Sequence, residues 1–599
     1  MRILLFFIFS FGLGIVLAQN EVQKAQLAKQ YLENAEYAKA EMLYKELMDA
    51  NKQEESYVMY YNACLVAQKK YAESEKLLSK KAKKNALYAL ELGYTYHEWG
   101  KITDAERTWL PLFKTKGVNK DYFTTLGLFF SQKNLPYWQI RTYKEARAYF
   151  KDEYLFSEEL IELYGEIKDI TQAVAEFVHF LKKKPNELQM VQTKVTNIIN
   201  SEEDFKKAEQ GILQAVIQDE NNTTMKELLI WLYLQHKDYE NALIQAKALD
   251  RLNKERGYRI IDIADVAEQT KNYEVAIDAY NYVIQKYPND GYHEKASMGK
   301  ARVSELQATE KSVPDKNEIK AVIQNYKNHI QQFGNSQRTI DAMYRIAYLS
   351  VFYLYDLNQA SQYIENILSN TGADIKRVDA LLLKADICII KNDFTTAENI
   401  YTELEQRYKD AVQGNLTKFK HAQLSYFKGE FDLANSRLKI LKQGTHNDIA
   451  NDALKLSLFI QDNTIMDSNT VVLRHYARAE LLNYQNKKEE AIQSLDSLIQ
   501  KYSSHAVIDD AWFLKAKIYT SLGKTDKALS CYQQIIEKYN SDILGDDALY
   551  FTAKIYDEVY KQDSKSLALY QDFLVKYPGS LYITQVRKRI RELRGEKMN

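Results

Sequence analysis

Apolar residues recur every three or four positions through most of this 599-residue chain, the spacing that lines one face of a helix rather than alternate sides of a strand. The helical stretches come in pairs. Leu92, Gly93 and Tyr96 fall on one face of a first helix, Gly100-Lys101 makes a polar turn, and Ala105, Trp109 and Leu112 line a second helix. The small residues Gly93 and Ala105 let the two helices approach closely, while Tyr96 and Trp109 fill the space beside that contact. One pair cannot bury both its faces, so neighbouring pairs must stack.

The pair repeats along the chain. Glu36-Tyr37-Ala38-Lys39-Ala40 and Lys70-Tyr71-Ala72-Glu73-Ser74 occupy one register, as do Asp238-Tyr239-Glu240-Asn241-Ala242 and Asn272-Tyr273-Glu274-Val275-Ala276. Their common period of about 34 residues is that of a helix-turn-helix repeat. The small residue returns at Ala105, Ala173, Ala208, Ala360, Ala397, Ala434, Ala491, Ala528 and Ser566. Weaker units fit around Gly127 and Tyr143 and around Val322 and Tyr326, giving about fifteen in all. The period lengthens by three or four positions where second helices end in Lys501-Tyr502, Lys538-Tyr539 and Lys576-Tyr577. The longer interval from Ala434 to Ala491 leaves room for one unpaired helix near 447–460.

Leu-Gly, Tyr three positions on, Ala nine further, an aromatic four beyond, and Pro ending the second helix, as Pro185 and Pro288 do, resemble the tetratricopeptide repeat family. Ile170-Thr171-Gln172-Ala173, with Phe177 and Phe180, follows the pattern closely, although the tryptophan near the start of the first helix is mostly absent. The resemblance implies an all-α, right-handed superhelical solenoid of about fifteen helix-turn-helix repeats. The longer units, with starts such as Asp509-Asp510-Ala511 and Asp546-Asp547-Ala548, look like the exported repeats of bacterial envelope proteins, including outer-membrane assembly factors. An acidic pair there suits the positive end of a helix dipole. The expected organisation is a leader over 1–18, arrays over 19–308, 309–446 and 447–581, and a capping helix and tail over 582–599 with Val586, Ile590 and Leu593 inward. The loop at 309–316 and the unpaired helix are the expected places for a bend between lobes.

The leader carries Arg2, an apolar run and Val16-Leu17-Ala18, the order of a secretory signal cleaved after Ala18. A retained anchor is the alternative, but about 15 apolar residues fall short of the roughly 20 of a span. The expected location is therefore export, to the periplasm, with outer-membrane association or secretion as alternatives, and no transmembrane span once the signal is removed. Cys64, Cys388 and Cys531 are odd in number and lie in helical apolar stretches, so buried free thiols are expected.

Composition sharpens the class. The 20 glycines and 6 prolines are about 3% and 1% of the chain, well below average usage of roughly 7% and 5%, too few to punctuate a sandwich, barrel or propeller. Tyrosine is abundant at 45 residues, and Lys+Arg and Asp+Glu balance at 81 each, so no net field recruits nucleic acid or anionic membrane.

Chemistry is hard to place. The nine histidines are scattered, no two within a few helical turns of each other, which removes every short-spaced zinc motif. There is no nucleophile elbow and no Gly-rich phosphate loop. No catalytic, cofactor or metal residue is expected, and carboxylate pairs such as Glu158-Glu159 and Asp546-Asp547 read as solvated faces or capping charges. In tetratricopeptide arrays first helices build the groove, and that register selects Tyr94, His97, Glu98, Asp265, Glu268, Lys517 and Thr520 as groove contacts. No unit has the Lys and Asn pair with which family members grip acidic chaperone C-termini. The expected function is a non-enzymatic scaffold of the bacterial cell envelope binding a protein or peptide, without nucleic acid or cofactor. A polysaccharide-binding or export component, using tyrosine rings on sugars, is the alternative.

Overall fold

The computed structural model describes residues 21–311, 313–370, 375–408, 412–441, 447–465 and 470–595. The expected signal over 1–18 and the last four residues lie outside them. The chain forms two compact units, one up to Gln245 and one from Ala246 onward.

In the first unit a helix over 21–33 pairs with Tyr37–Ala50, followed by Glu55–Ala67 with Tyr71–Leu78, Ala86–Glu98 with Ile102–Trp109, and Lys120–Gln132 with Pro136–Phe150. Ser157–Glu166 with Ile170–Lys183 and Leu188–Ile198 with Glu202–Gln218 continue the series, and Thr223–Gln235 pairs with Tyr239–Asn253, the helix that carries the unit boundary. The second unit holds Tyr258–Gln269 with Tyr273–Lys286, Gly291–Thr309 with Lys316–Phe333, Ile340–Leu349 with Leu357–Asn370, and Ile375–Ile390 with Phe394–Arg407. Then come Val412–Phe427 with Phe431–Leu441, Val471–Tyr484 with Lys488–Lys501, Ile508–Ser521 with Thr525–Lys538, and Gly545–Glu558 with Asp563–Lys576. The described residues therefore hold fifteen pairs and no strand, as the periodicity predicts.

The predicted close contact is present. Trp109 is fully buried and its Nε1 donates to the Leu90 carbonyl at 3.0 Å, while a β-carbon on Gly93 would lie 2.2 Å from that same nitrogen. The glycine is the gap the indole fills. Ala105, Ala173, Ala276, Ala397 and Ala528 are likewise buried, at 0–1% exposure, because any larger residue would push the paired helices apart.

The turn inside each pair explains the glycine deficit. Lys69, Asn134, Lys168, Lys237, Lys271, Asn392 and Asn486 all take positive φ at the position that Gly100 and Gly523 take elsewhere. At Gly100 the chain closes with Lys101 N donating to Tyr96 O and Gly100 N to His97 O, and at Lys271 the same two bonds recur from Asn272 N to Ala267 O and Lys271 N to Glu268 O. This is the left-handed helix stop usually given to glycine. Lysine and asparagine occupy it here at about 1–2 kcal/mol of backbone strain each.

The unpaired helix expected near 447–460 is Asn447–Ile465. Its Ala453 and Ile460 enter a core with Tyr426, Phe431, Leu438, Leu473 and Ala477, and Ser457 Oγ donates to Asn435 at 3.0 Å. After Ile340–Leu349 the chain widens into a π-turn over Ser350–Leu354. The capping helix is Ile583–Leu593, with Val586 and Ile590 buried as expected. Cys64 and Cys531 are buried free thiols and Cys388 is half-buried. Among the described residues no helix is long and apolar enough to cross a membrane.

Candidate partner-binding surface

Successive first helices touch one another, so the residue after each buried alanine of a first helix lands on one continuous face. In the second unit the aligned alanines are Ala264, Ala301, Ala347, Ala385, Ala422, Ala479, Ala516 and Ala553, and the following position is held by Asp265, Arg302, Tyr348, Asp386, Gln423, Glu480, Lys517 and Lys554. Two of the expected groove residues, Asp265 and Glu268, come together there. The buried Tyr280 hydroxyl donates to Asp265 at 2.8 Å and to Glu268 at 3.2 Å. The next first helix neutralises both: Lys295 reaches Asp265 at 2.6 Å, and Arg302 grips Glu268 through two nitrogens at 2.5 and 2.7 Å.

This arrangement recurs. Glu305 accepts from the Tyr326 hydroxyl at 2.7 Å and is held by Arg345 of the following first helix. Asp557 accepts from Tyr570 at 3.2 Å and takes a fork from Arg589 of the capping helix, both arms at 2.7 Å. Burial raises the tyrosine pKa values and the adjoining carboxylates raise them further. Asp557 keeps a lowered pKa, because its bonds to Arg589 and Tyr570 outweigh the burial that opposes them. The sequence alone marks these tyrosines only as core rings; the acid on each first helix, followed about one repeat later by Lys or Arg, is the available signal.

The remaining expected contacts are more dispersed. Tyr94 is partly buried, with Lys133 Nζ 4.4 Å above its ring and Lys133 paired to Glu91 at 3.1 Å. His97 Nδ1 lies 3.4 Å from Glu98, and the two stand partly exposed at the end of their helix. Lys517 is exposed, its Nζ 5.5 Å above the Phe513 ring. Thr520 instead turns inward, donating to the Ala516 carbonyl at 2.9 Å and bonding the Tyr532 hydroxyl.

Around Lys517 lies a group that the sequence does not single out. Glu480 accepts from the Tyr426 hydroxyl at 2.5 Å. Burial lifts its pKa to about 7, against the opposing effects of Tyr426 and Lys517. Burial, then Asp509 and Glu480, lift Asp510 to about 8. Asp547 is also raised by burial, although the Tyr582 hydroxyl donates to it at 2.7 Å. Asp509 is only 8% exposed. The Asp509-Asp510 pair lies in the first turn of its helix, where the dipole argument expects an acidic pair, but it is largely buried, with Asp510 close to Glu480 of the preceding first helix. Tyr476, Phe513 and Tyr550 recur at one position of the same helices, and Tyr550 stacks on Tyr582 with centroids 4.0 Å apart. Among the described residues no group of three His, Cys, Asp or Glu side chains could hold a metal ion.

Stacked antiparallel helix pairs with a small residue at every close contact define an α-helical repeat protein. Residues 262–290, 475–505 and 510–539 match the family model of the tetratricopeptide repeat, so these segments of the second unit are similar to that repeat in sequence as well as in helix pairing. The matched segments are three of the helix pairs described above. No curated protein sequence matches the chain. Among solved structures it is similar to a chain of the APC/C hetero-tetramer Cut9–Hcn1, at 14% identity over 83% of this chain and 96% of that one, with a TM-score of 0.27. It is also similar to a chain of Naa15/Naa10 bound to HypK-THB, at 13% identity over 96% and 94% with a TM-score of 0.24. A tetratricopeptide repeat protein from Parabacteroides merdae gives 12% identity over 50% of this chain and 98% of that one, with a TM-score of 0.28.

Proposed function

We propose that this protein is a non-enzymatic interaction scaffold of the bacterial cell envelope that holds a peptide or protein partner on the groove face of its first helices. Tetratricopeptide repeats are in general protein-interaction modules, and repeat arrays bind through side chains of several consecutive units. The observation that carries the reading is the pair Phe513 and Tyr550, both partly exposed, beside Glu480, Asp510 and Asp547: large rings and under-neutralised carboxyls on three neighbouring first helices. Aromatic anchors beside polar groups are what a partner-binding face requires. Export to the periplasm rests on the apolar leader with its small-residue site, and the fifteen pairs leave little chain for a separate catalytic domain.

The sugar reading has less support, since Tyr44, Tyr280, Tyr401, Tyr532 and Tyr570 are buried at 0–3% exposure and offer no face for stacking. Cross-linking and pull-down from native envelope tests the proposal. Phe513→Ala with Tyr550→Ala should lose the captured partner while Leu128→Ala, on an exposed position of the other unit, keeps it. Equal capture by both variants would remove this face as the binding site.

A further inference from the structure

A partly apolar cleft with a basic rim opens in the first unit. The second helices Tyr71–Leu78 and Ile102–Trp109 have eight residues each, against fourteen in Tyr273–Lys286 or Thr525–Lys538. The chain leaves the helix early at both places, and a cleft of about 620 Å³ lies between the two exits. Ala82, Ala86, Leu92, Tyr96, Pro111 and Leu112 form the apolar part of its walls, Ser79, Asn85, Thr108 and Thr115 the polar part, and Lys83 and Lys84 stand on its rim.

The same two exits concentrate positive charge. Lys80, Lys81, Lys83 and Lys84 lie on one, and Lys114, Lys116 and Lys120 on the other, with Asp121 the only acid in 79–85 and 114–121. Among the described residues none of these seven ammonium groups has an ion pair; Lys81 and Lys120 lie over the rings of Tyr88 and Phe156, each at 5.1 Å. Six of the seven are exposed, as is Leu87 beside them. The balanced total charge of the chain conceals this local excess. Packed helices stand roughly 8–10 Å apart, comparable to a screening length of about 8 Å in physiological salt, so both exits act on a single ligand.

Unneutralised lysines around a partly apolar cleft fit a molecule with an anionic head and an apolar tail. Duplex nucleic acid or an acidic peptide stretch would meet the lysines and leave the cleft walls bare. We propose that this edge binds an anionic phospholipid, with its phosphate among the lysines and the start of an acyl chain against Leu92, Pro111 and Leu112. Juxtamembrane lysine clusters of this size attract anionic headgroups in the same way.

Sedimentation with vesicles tests the site, using one-to-one phosphatidylglycerol and phosphatidylcholine against phosphatidylcholine alone. Three full chains are compared: the native one, one with Lys80, Lys81, Lys83 and Lys84 changed to Gln, and Leu112→Asn. All carry the same leader sequence, so any contribution of the leader cancels. The lipid concentration for half-binding to anionic vesicles should rise at least tenfold for the lysine variant and severalfold for Leu112→Asn, with the three alike on phosphatidylcholine. Native behaviour of the lysine variant overturns the proposal. So does unchanged binding by Leu112→Asn, or full competition by duplex DNA at equal charge, because either reduces the site to a patch for any polyanion. Should the lysine variant not fold, Lys114, Lys116 and Lys120 changed to Gln makes the same comparison.

Discussion

A β-carbon on Gly299 would lie 2.5 Å from the Cζ of Tyr280, so the glycine is the space that the tyrosine ring occupies. Tyr280 cannot move away, because it is fully buried and its hydroxyl is fixed on Asp265 and Glu268. Alanine would favour the helix Gly291–Thr309 by about 1 kcal/mol, and overpacking costs roughly 1–3 kcal/mol. Gly299→Ala should therefore lose about 1 kcal/mol, read as faster amide exchange in this pair. In a Tyr280→Leu background Gly299→Ala should cost less than it does in the native chain, and a stabilised single variant would refute the packing argument.

The pair Glu305 and Arg345 makes a sharper prediction. Glu305 is 5% exposed and takes both Arg345 and the Tyr326 hydroxyl. Arg345→Met strands a buried carboxylate, for which about 3–5 kcal/mol is typical. Glu305→Gln with Arg345→Met removes both charges, so the double variant should be more stable than Arg345→Met alone. Denaturant unfolding of the four chains in the cycle measures this coupling, which should vanish if the pair is merely a surface contact.

The helix pairs, their number, the unpaired helix after Leu441 and the capping helix are all legible in the sequence, because each is written in short-range spacing of small and apolar residues. The groove residues are less so. Asp265 and Glu268 sit in the predicted register, yet what they touch depends on Tyr280 from the second helix and on Lys295 and Arg302 from the next repeat. Asp510 stands at a helix start as its sequence suggests, yet its burial is not legible there, because its surroundings include Glu480 from the first helix of the preceding repeat. Register along one helix gives the face of a residue, whereas its burial is set by neighbours of variable spacing. The turn lysines escape notice for a related reason: positive φ is expected of glycine, and lysine carries no such mark.

Those turns can be relaxed one at a time. Lys271 has φ 63°, and glycine adopts that conformation without the β-carbon clash, at the expense of greater freedom in the unfolded chain. Lys271→Gly is expected to stabilise its pair by about 0.5–1 kcal/mol. The readout is local amide exchange over Tyr258–Lys286, where slower exchange supports the account. Lys271→Ala keeps the clash and should give no gain.

The carboxyls around Lys517 make the second unit sensitive to alkali. Glu480 and Asp510 are held at about 7 and about 8, chiefly by burial, whereas free carboxylic acids ionise near 4. Between these values the folded chain holds protons that the unfolded chain has released, so stability falls as pH rises. The contribution is complete below about pH 4 and is lost progressively up to about pH 8. Each unit of raised pKa corresponds to about 1.4 kcal/mol, so Asp510→Asn, which cannot ionise, should stabilise the region 471–558 by at least about 1 kcal/mol at pH 8 and by much less at pH 5. Amide exchange in Ile508–Ser521 at the two pH values reads the difference. If the native chain and Asp510→Asn share one pH profile, Asp510 is ionised in the folded protein, and the partner-binding face carries a full negative charge at neutral pH rather than one that awaits a cationic ligand.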